Sequence, residues 1–500
     1  MSDVDADAGT SSRGVVFPTL EGERSTSAVG RSVMWAALSA IDPDGARAAG
    51  SVGNWRRHYP QHFRRALEVG LASPAAAHGI AVAGLAEAQR RMQWADEAGE
   101  RSLVDLLNGP TAASTPLMSE RVDGAADRAA FALPVHGVPL SGAALTEQLS
   151  RWVESGVLEP SAAAAVREVA EHPEWLSLPG NTVVCLGAGA EIGPVRPLLA
   201  WGATVAAVDL PGGERWDDLI TTAATSAGVL IFPVRGGEGD AADRAGADLL
   251  TQLPALIEWV RGLGQGLVIG NYTYADGGTH VALAVASDAL ATCVRETRPE
   301  LTLAFLATPT DVFAVPSEAA AAAARAYADR GAFVRGLGPP LGVLSRGRAL
   351  RPNYLNPPDE GPAVHDAIVR QQGPNYALAK RIQRWRATTE LLAGRRVSIN
   401  VAPPTRTRSV LKNRGLAAAY AGAHRFGVEV FEPETTRVLM AALLVHDLKG
   451  ETGSWAHPWQ LEADQAVHGG LWRTAYAPRG ALPLAAFAGL PATFTRIRAR

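Results

Sequence analysis

The chain reads as an α/β protein built on a doubly wound parallel sheet, with an appended, mostly helical N-terminal region and a short C-terminal cap. Two observations predict this. Short, wholly apolar runs alternate with helical stretches from about residue 180 onward, the pattern of strands buried on both faces and joined by crossover helices. The first of these units, Thr182 to Pro211, also carries a glycine turn and ends its second strand on an acid.

Size and composition bound the rest. Five hundred residues suggest about three domains and a large core. Hydrophobic content of 47%, charged content of 19% and a net charge of −3 describe an ordinary globular chain. They give no footing for nucleic-acid binding or an anionic membrane surface. The acidic, polar start resembles no secretory or transit signal, and no apolar run stands out as bilayer-spanning. The two cysteines, Cys185 and Cys293, lack metal or disulfide spacing and read as core residues in a reducing compartment, so the expected location is the cytoplasm. His58, His62, His78 and His136 show no metal-ligand spacing, and no metal is expected.

In chain order, residues 1–28 are rich in Asp, Ser, Thr and Gly and read as a disordered tail. Residues 29–178 read as a mostly helical domain, with β character at FALPVHGVPL. Two helices follow it, TEQLSRWVESGVLEP and SAAAAVREVAEHPEWL, with Thr146 and Ser161 as their caps. The parallel sheet occupies 179–449. Its strands are Val183–Leu186, Thr204–Val208, Val229–Val234, Gly266–Gly270, LTLAFLATPTD and the run after Arg396. An insertion at about 311–372, rich in Gly, Pro and Arg, is expected beside the active site. A last helix and strand region should follow Val410, and 450–500 form an aromatic cap carrying Trp455, Trp459 and Trp472.

The chemistry of the first unit is explicit. Gly187, Gly189 and Gly193 keep side chains away from a pyrophosphate, and the helix behind them offers N–H groups and a positive dipole. Asp209, at the tip of the next strand, can accept both ribose hydroxyls and repels a 2′-phosphate. This favours NAD(H) slightly over NADP(H).

The second constellation is GPNYALAKRIQRWRATTELLAG, a helix with Tyr376 and Lys380 four apart on one face. A phenol near pKa 10 is a poor acid or base at neutral pH, and an ammonium one turn away would lower it. The chain has only three lysines, Lys380, Lys412 and Lys449, so one placed by a motif carries weight.

With these residues in place, the order of elements resembles the short-chain dehydrogenase/reductase superfamily, whose members have an NAD(P)-binding Rossmann fold. That family opens on a TGxxxGIG turn, carries YxxxK on the helix after its fifth strand, and ends its sixth strand in PG followed by Thr. Leu186 to Gly193 falls on the turn, with Leu186 in place of Thr, Glu191 in place of the middle Gly, and Ile192 and Gly193 matching. Asp209 falls on the acid of NAD-preferring members. Asn271 falls near the Asn-Ala-Gly turn, and Tyr376 and Lys380 on the catalytic pair. Pro404 and Thr405 fall on the turn that contacts the nicotinamide carboxamide, with Pro404 replacing Gly. The resemblance covers about residues 180 to 448. It implies hydride transfer between a nicotinamide dinucleotide and a carbonyl or alcohol.

The family's serine is missing, and Thr308, Thr310 and Ser345 are the candidates for its hydroxyl. Two other classes share part of the pattern. A methyltransferase using S-adenosylmethionine would need the glycine loop and Asp209 but not Tyr376, and a nucleotide-binding scaffold would need no chemistry at all. The aromatic tail suits either a cap over a bulky hydrophobic small-molecule substrate or a homo-oligomer contact.

Overall fold

The computed structural model describes residues 12–109, 115–330, 350–451 and 453–497, with side chains through 490. Its centre is a seven-stranded sheet, formed by β1 (Met118–Asp123), β2 (Thr182–Leu186), β3 (Thr204–Val208), β4 (Val229–Val234), β5 (Leu267–Asn271), β6 (Thr302–Ala307) and β7 (Val397–Val401). The strand order is β7-β6-β5-β2-β3-β4-β1. Strands β2 to β7 are parallel, and β1 runs antiparallel along β4. The chain therefore builds outward from β2 to one edge, then returns to the other side of β2 with β5.

Both faces of the sheet are dry, which explains the unbroken apolar runs. Val184, Leu186, Ala206, Val208, Ile269 and Phe305 point into one core, and Val183, Cys185, Val205, Ala207, Val268 and Leu306 into the other. These are opposite parities of the same strands, as the two-residue repeat of a strand demands. We number the helices used below α1 (Thr26–Ser39), α2 (Trp55–Gly70), α3 (Pro74–Arg91), α4 (Gly142–Glu154), α5 (Pro160–Glu171), α6 (Val195–Ala200), α7 (Leu253–Arg261), α8 (Gly277–Thr297), α9 (Gly373–Leu392), α10 (Pro433–Lys449) and α11 (Pro458–Ala463). Helices α7, α8 and α9 cover the first face, and α4, α5, α6 and α10 the second.

Residues 29–178 do not make one appended domain. Helices α1, α2 and α3 form an outer layer on α9, with Met34, Phe63 and Leu85 in the same core as Ile382 and Trp385. The approach is close: a Cβ on Gly84 would fall 2.3 Å from the Trp385 ring. After these helices β1 joins the main sheet, and α4 and α5 pack on its opposite face. The segment thus wraps the sheet from both sides.

Other expectations are corrected in the same way. Residues 14–16 form a strand whose Val15 and Val16 are buried, followed by buried Phe17, so part of the expected tail is built into the core. Helix α4 begins at Gly142, which puts Thr146 inside it, bonded back to Gly142 O. Helix α5 begins at Pro160, whose fixed φ suits a first turn. Ser161 instead accepts the Gln465 amide. No strand follows β7 among the described residues; that region is helical, as α10 shows. Helix α8 is long and apolar enough to cross a membrane by length and composition alone, because alanine and valine fill it, yet 78% of its apolar window is buried inside the fold. The tail also departs from a cap. Trp472 is fully buried, stacked on His468 at 4.6 Å, and Trp455 and Trp459 pack against the core.

A buried ionic cluster ties the segments together. Asp311, just past β6, takes Arg381 at 2.9 Å and Arg384 at 2.6 Å, and Arg384 reaches Glu462 of α11 at 2.6 Å. Arg384 also lies over the Phe313 ring at 4.0 Å. Residues 312–315 and 363–366 of the expected insertion pair as a two-stranded antiparallel sheet.

Candidate active site at the carboxyl edge of the sheet

Helix α9 enters from Gly373, whose φ of +79° suits only glycine without strain, and starts on Pro374. Tyr376 and Lys380 follow on its first turns, both half-buried. Thr308 and Thr310, on the loop leaving β6, meet them across the insertion. The Thr308 side chain is near enough to the Tyr376 phenol to influence its pKa, and the Thr308 and Thr310 hydroxyls are 3.0 Å apart. Gln372 Nε2 donates to Thr310 Oγ1. Gln372, Thr310 and Thr308 therefore form one hydrogen-bonded row beside Tyr376. Ser345 lies outside the described residues.

Lys380 is placed differently from the expectation. Its Nζ donates to Leu306 O and Gln383 Oε1, each at 3.2 Å. Burial lowers its pKa to about 8. The Tyr376 phenol is not made more acidic: burial raises its pKa, the neighbouring Thr308 hydroxyl opposes the rise, and the Asp311 charge adds to it. The lysine is a neighbour that can give up a proton near neutrality, while Tyr376 holds its own.

The glycine turn sits at the end of β2. Gly187 has φ +80°, and a Cβ there would come within 3.0 Å of the Thr273 backbone. Gly187 and Ala188 amides donate to Val208 O, Ala190 to Gly187 O, and Gly193 to Ala190 O. Gly189 donates to Asp209 Oδ2 at 2.7 Å, and Asp209 Oδ1 accepts Arg215 at 2.8 Å and the Leu210 amide at 2.8 Å. Most amides of the turn are thus satisfied within the fold. Among the described residues, the Glu191 and Ile192 amides find no backbone acceptor. Helix α6 behind the turn is only six residues long, so its dipole is weak. Glu191 also spans to the far side of the sheet edge, where its carboxylate accepts the Arg408 amide at 2.7 Å and its carbonyl the Arg437 guanidinium at 2.9 Å.

Asn271, buried at the tip of β5, folds back on its own loop, its Oδ1 accepting the Thr273 amide and hydroxyl at 3.2 and 2.7 Å. Thr405 is buried and donates to Pro403 O at 2.8 Å or pairs with Thr436 at 2.8 Å. Pro404 packs beneath Gly469. Both residues brace the loop after β7.

Three residues outside these motifs complete the site. His280, Tyr274 and Arg56 line a cleft of about 70 Å³ together with Asp276, Gln372 and Tyr376. The His280 ring lies 5.4 Å from the rings of both Tyr274 and Tyr376. Its signal in the sequence was a lone histidine at the start of an alanine-valine helix shortly after a strand tip. Arg56 comes from α2, at a sequence distance no pattern bridges. Gly187 lies against the Thr273 backbone, and His280 lies beside Tyr376, so the residues between β5 and α8 run from one motif towards the other. No family model matches the chain, and no curated protein matches it.

Proposed function

We propose that this chain is a dinucleotide-dependent oxidoreductase of the short-chain dehydrogenase/reductase type, acting on a carbonyl or the matching alcohol. The observation that carries the reading is the row Gln372–Thr310–Thr308, brought beside Tyr376 across the insertion. It stands on a sheet whose parallel strands, counted from β2, run 3-2-1-4-5-6 from β4 to β7, the order of a Rossmann-type doubly wound fold. In such sheets ligands bind at the carboxyl ends of the strands where the chain reverses direction, here between β2 and β5.

The turn fits a dinucleotide in outline. The glycine at 187 could not carry a side chain, Glu191 and Ile192 amides are available to a diphosphate, and Asp209 is placed for a ribose once Arg215 yields. When bound, the dinucleotide supplies or accepts the hydride. The chain's own residues do the rest. Tyr376 passes a proton to or from the substrate oxygen, Thr308 orients that oxygen with Thr310 and Gln372 behind it, and Lys380 holds the floor of the site through Leu306 O.

One observation favours a catalytically silent scaffold instead, namely the inward commitment of the turn amides and Asp209. Melting temperature with NADH, NADPH and S-adenosylmethionine separates the readings. A rise with a nicotinamide dinucleotide supports the oxidoreductase, a rise with S-adenosylmethionine alone replaces it with a methyltransferase, and no rise leaves the scaffold.

A further inference from the structure

Among the described residues, His280 is a buried polar side chain that lines the cleft beside Tyr376, with the Thr273 backbone next to it. The residue is 1% exposed, and neither ring nitrogen meets a partner of hydrogen-bond geometry. A buried polar group without a partner is costly, and a ligand that bonds it recovers that cost. Burial first, then the Lys380 charge, lowers its pKa to about 3, with the Thr273 backbone opposing. The ring is therefore neutral, with one N–H donor and one acceptor nitrogen.

The lining fixes the kind of ligand. Tyr376 and Tyr274 bring hydroxyls, Gln372 and Asn375 amides, and Arg56 and Asp276 one charge of each sign. Tyr274 donates to Asp276 at 3.0 Å. This wall has no net charge and no large apolar face. The tail tryptophans, which would have suited a bulky hydrophobic substrate, are elsewhere. A carboxylate would need two donors and meet Asp276, whereas a hydroxyl both donates and accepts, as a neutral imidazole does.

We propose that His280 is a substrate-positioning residue, hydrogen bonding a hydroxyl of a small, uncharged, hydroxyl-bearing carbonyl compound while Tyr376 serves the adjacent carbonyl oxygen. This rests on the reading of Tyr376 as the acid–base group. No covalent step involves His280; it fixes which oxygen lies against the phenol.

The test measures melting temperature of the full chain with 1,3-dihydroxyacetone, pyruvate and cyclohexanone, beside NADH as a separate ligand. Wild type should respond to dihydroxyacetone more than to the other two. His280→Phe should lose about ten-fold in dihydroxyacetone affinity yet keep its NADH response, and His280→Gln, which retains a donor and an acceptor, should recover part of it. The ¹⁵N resonances of His280 should also move on adding dihydroxyacetone. An equal dihydroxyacetone response in wild type and His280→Phe, a preference for pyruvate or cyclohexanone, or no response to any of the three overturns the proposal. If His280-dependent binding is seen without any NADH response, the oxidoreductase reading falls and the polar site stands.

Discussion

Asp209 closes on the glycine turn it was expected to accompany: its Oδ2 accepts the Gly189 amide at 2.7 Å, and its Oδ1 holds Arg215 at 2.8 Å. To take a ribose, the acid has to release the guanidinium. A freed Arg215 could meet a 2′-phosphate, which an acid alone repels. Replacing Asp209 by Ala should therefore move the ratio of NADPH to NADH affinity towards NADPH by about ten-fold or more. Titration of both dinucleotides into the variant checks this; an unchanged ratio removes Asp209 from the ribose site.

Tyr376→Phe keeps the ring against His280 and deletes only the phenolic oxygen. Carbonyl reduction should fall by about 10²–10⁴-fold, while the NADH-induced rise in melting temperature persists. Turnover equal to wild type would place the proton transfer on another group.

Arg384 balances two carboxylates in a dry interior. Arg384→Met leaves Asp311 and Glu462 with much of their counter-charge gone, and should cost about 3–5 kcal/mol in urea unfolding at neutral pH. The pH dependence has a definite sign. Burial alone would raise the Asp311 pKa, but Arg381 and Arg384 outweigh it and hold it below the ordinary value. Its contribution is thus complete above the unfolded pKa and is lost as the pH falls below about 4. The variant should show a shallower acid limb than wild type.

Asp447 works in the opposite direction. Burial raises its pKa to about 6, although Ser398 and Asn400 both donate to its Oδ2. A carboxyl whose folded pKa lies above its unfolded value favours the fold when protonated, and that advantage disappears as the pH rises through about 6. Asp447→Asn, which still accepts both hydrogen bonds, should stabilise the protein at pH 8 by about 1–3 kcal/mol. It should also flatten the stability profile between about pH 4 and 6; a profile unchanged from wild type would assign that slope elsewhere.

The parallel strands were legible because burial on both faces leaves no polar residue to interrupt them. Strand β1 was not: Met118–Asp123 lies at the sheet edge with one face in solvent, so MSERVD carries no apolar run. Val15 to Phe17 escaped notice because three apolar residues inside a polar stretch resemble noise. Thr308 could be named as a candidate, yet only the fold could bring it to Tyr376, since the insertion separates them in sequence. The direction of the Lys380 ammonium was beyond the motif, because YxxxK spacing fixes which face two side chains share and not which acceptor each one finds. Nothing in the sequence marks Arg381 and Arg384, three apart on α9, as buried, because their acceptors Asp311 and Glu462 come from distant segments.

Arg384 also limits how this molecule can be divided. One of its carboxylates comes from the end of β6 and the other from α11, beyond residue 457, while its neighbour Arg381 lies over Phe63 of α2 at 5.5 Å. Removing the tail would strand a cation in an oily interior, and removing the N-terminal helices would flood its other side. The sheet cannot be excised as an independent unit, nor its flanks exchanged for others, without rewriting the charge at its centre. Homologous recombination at the apparent segment borders would be expected to yield insoluble chains, so the flanks and the sheet have to change together.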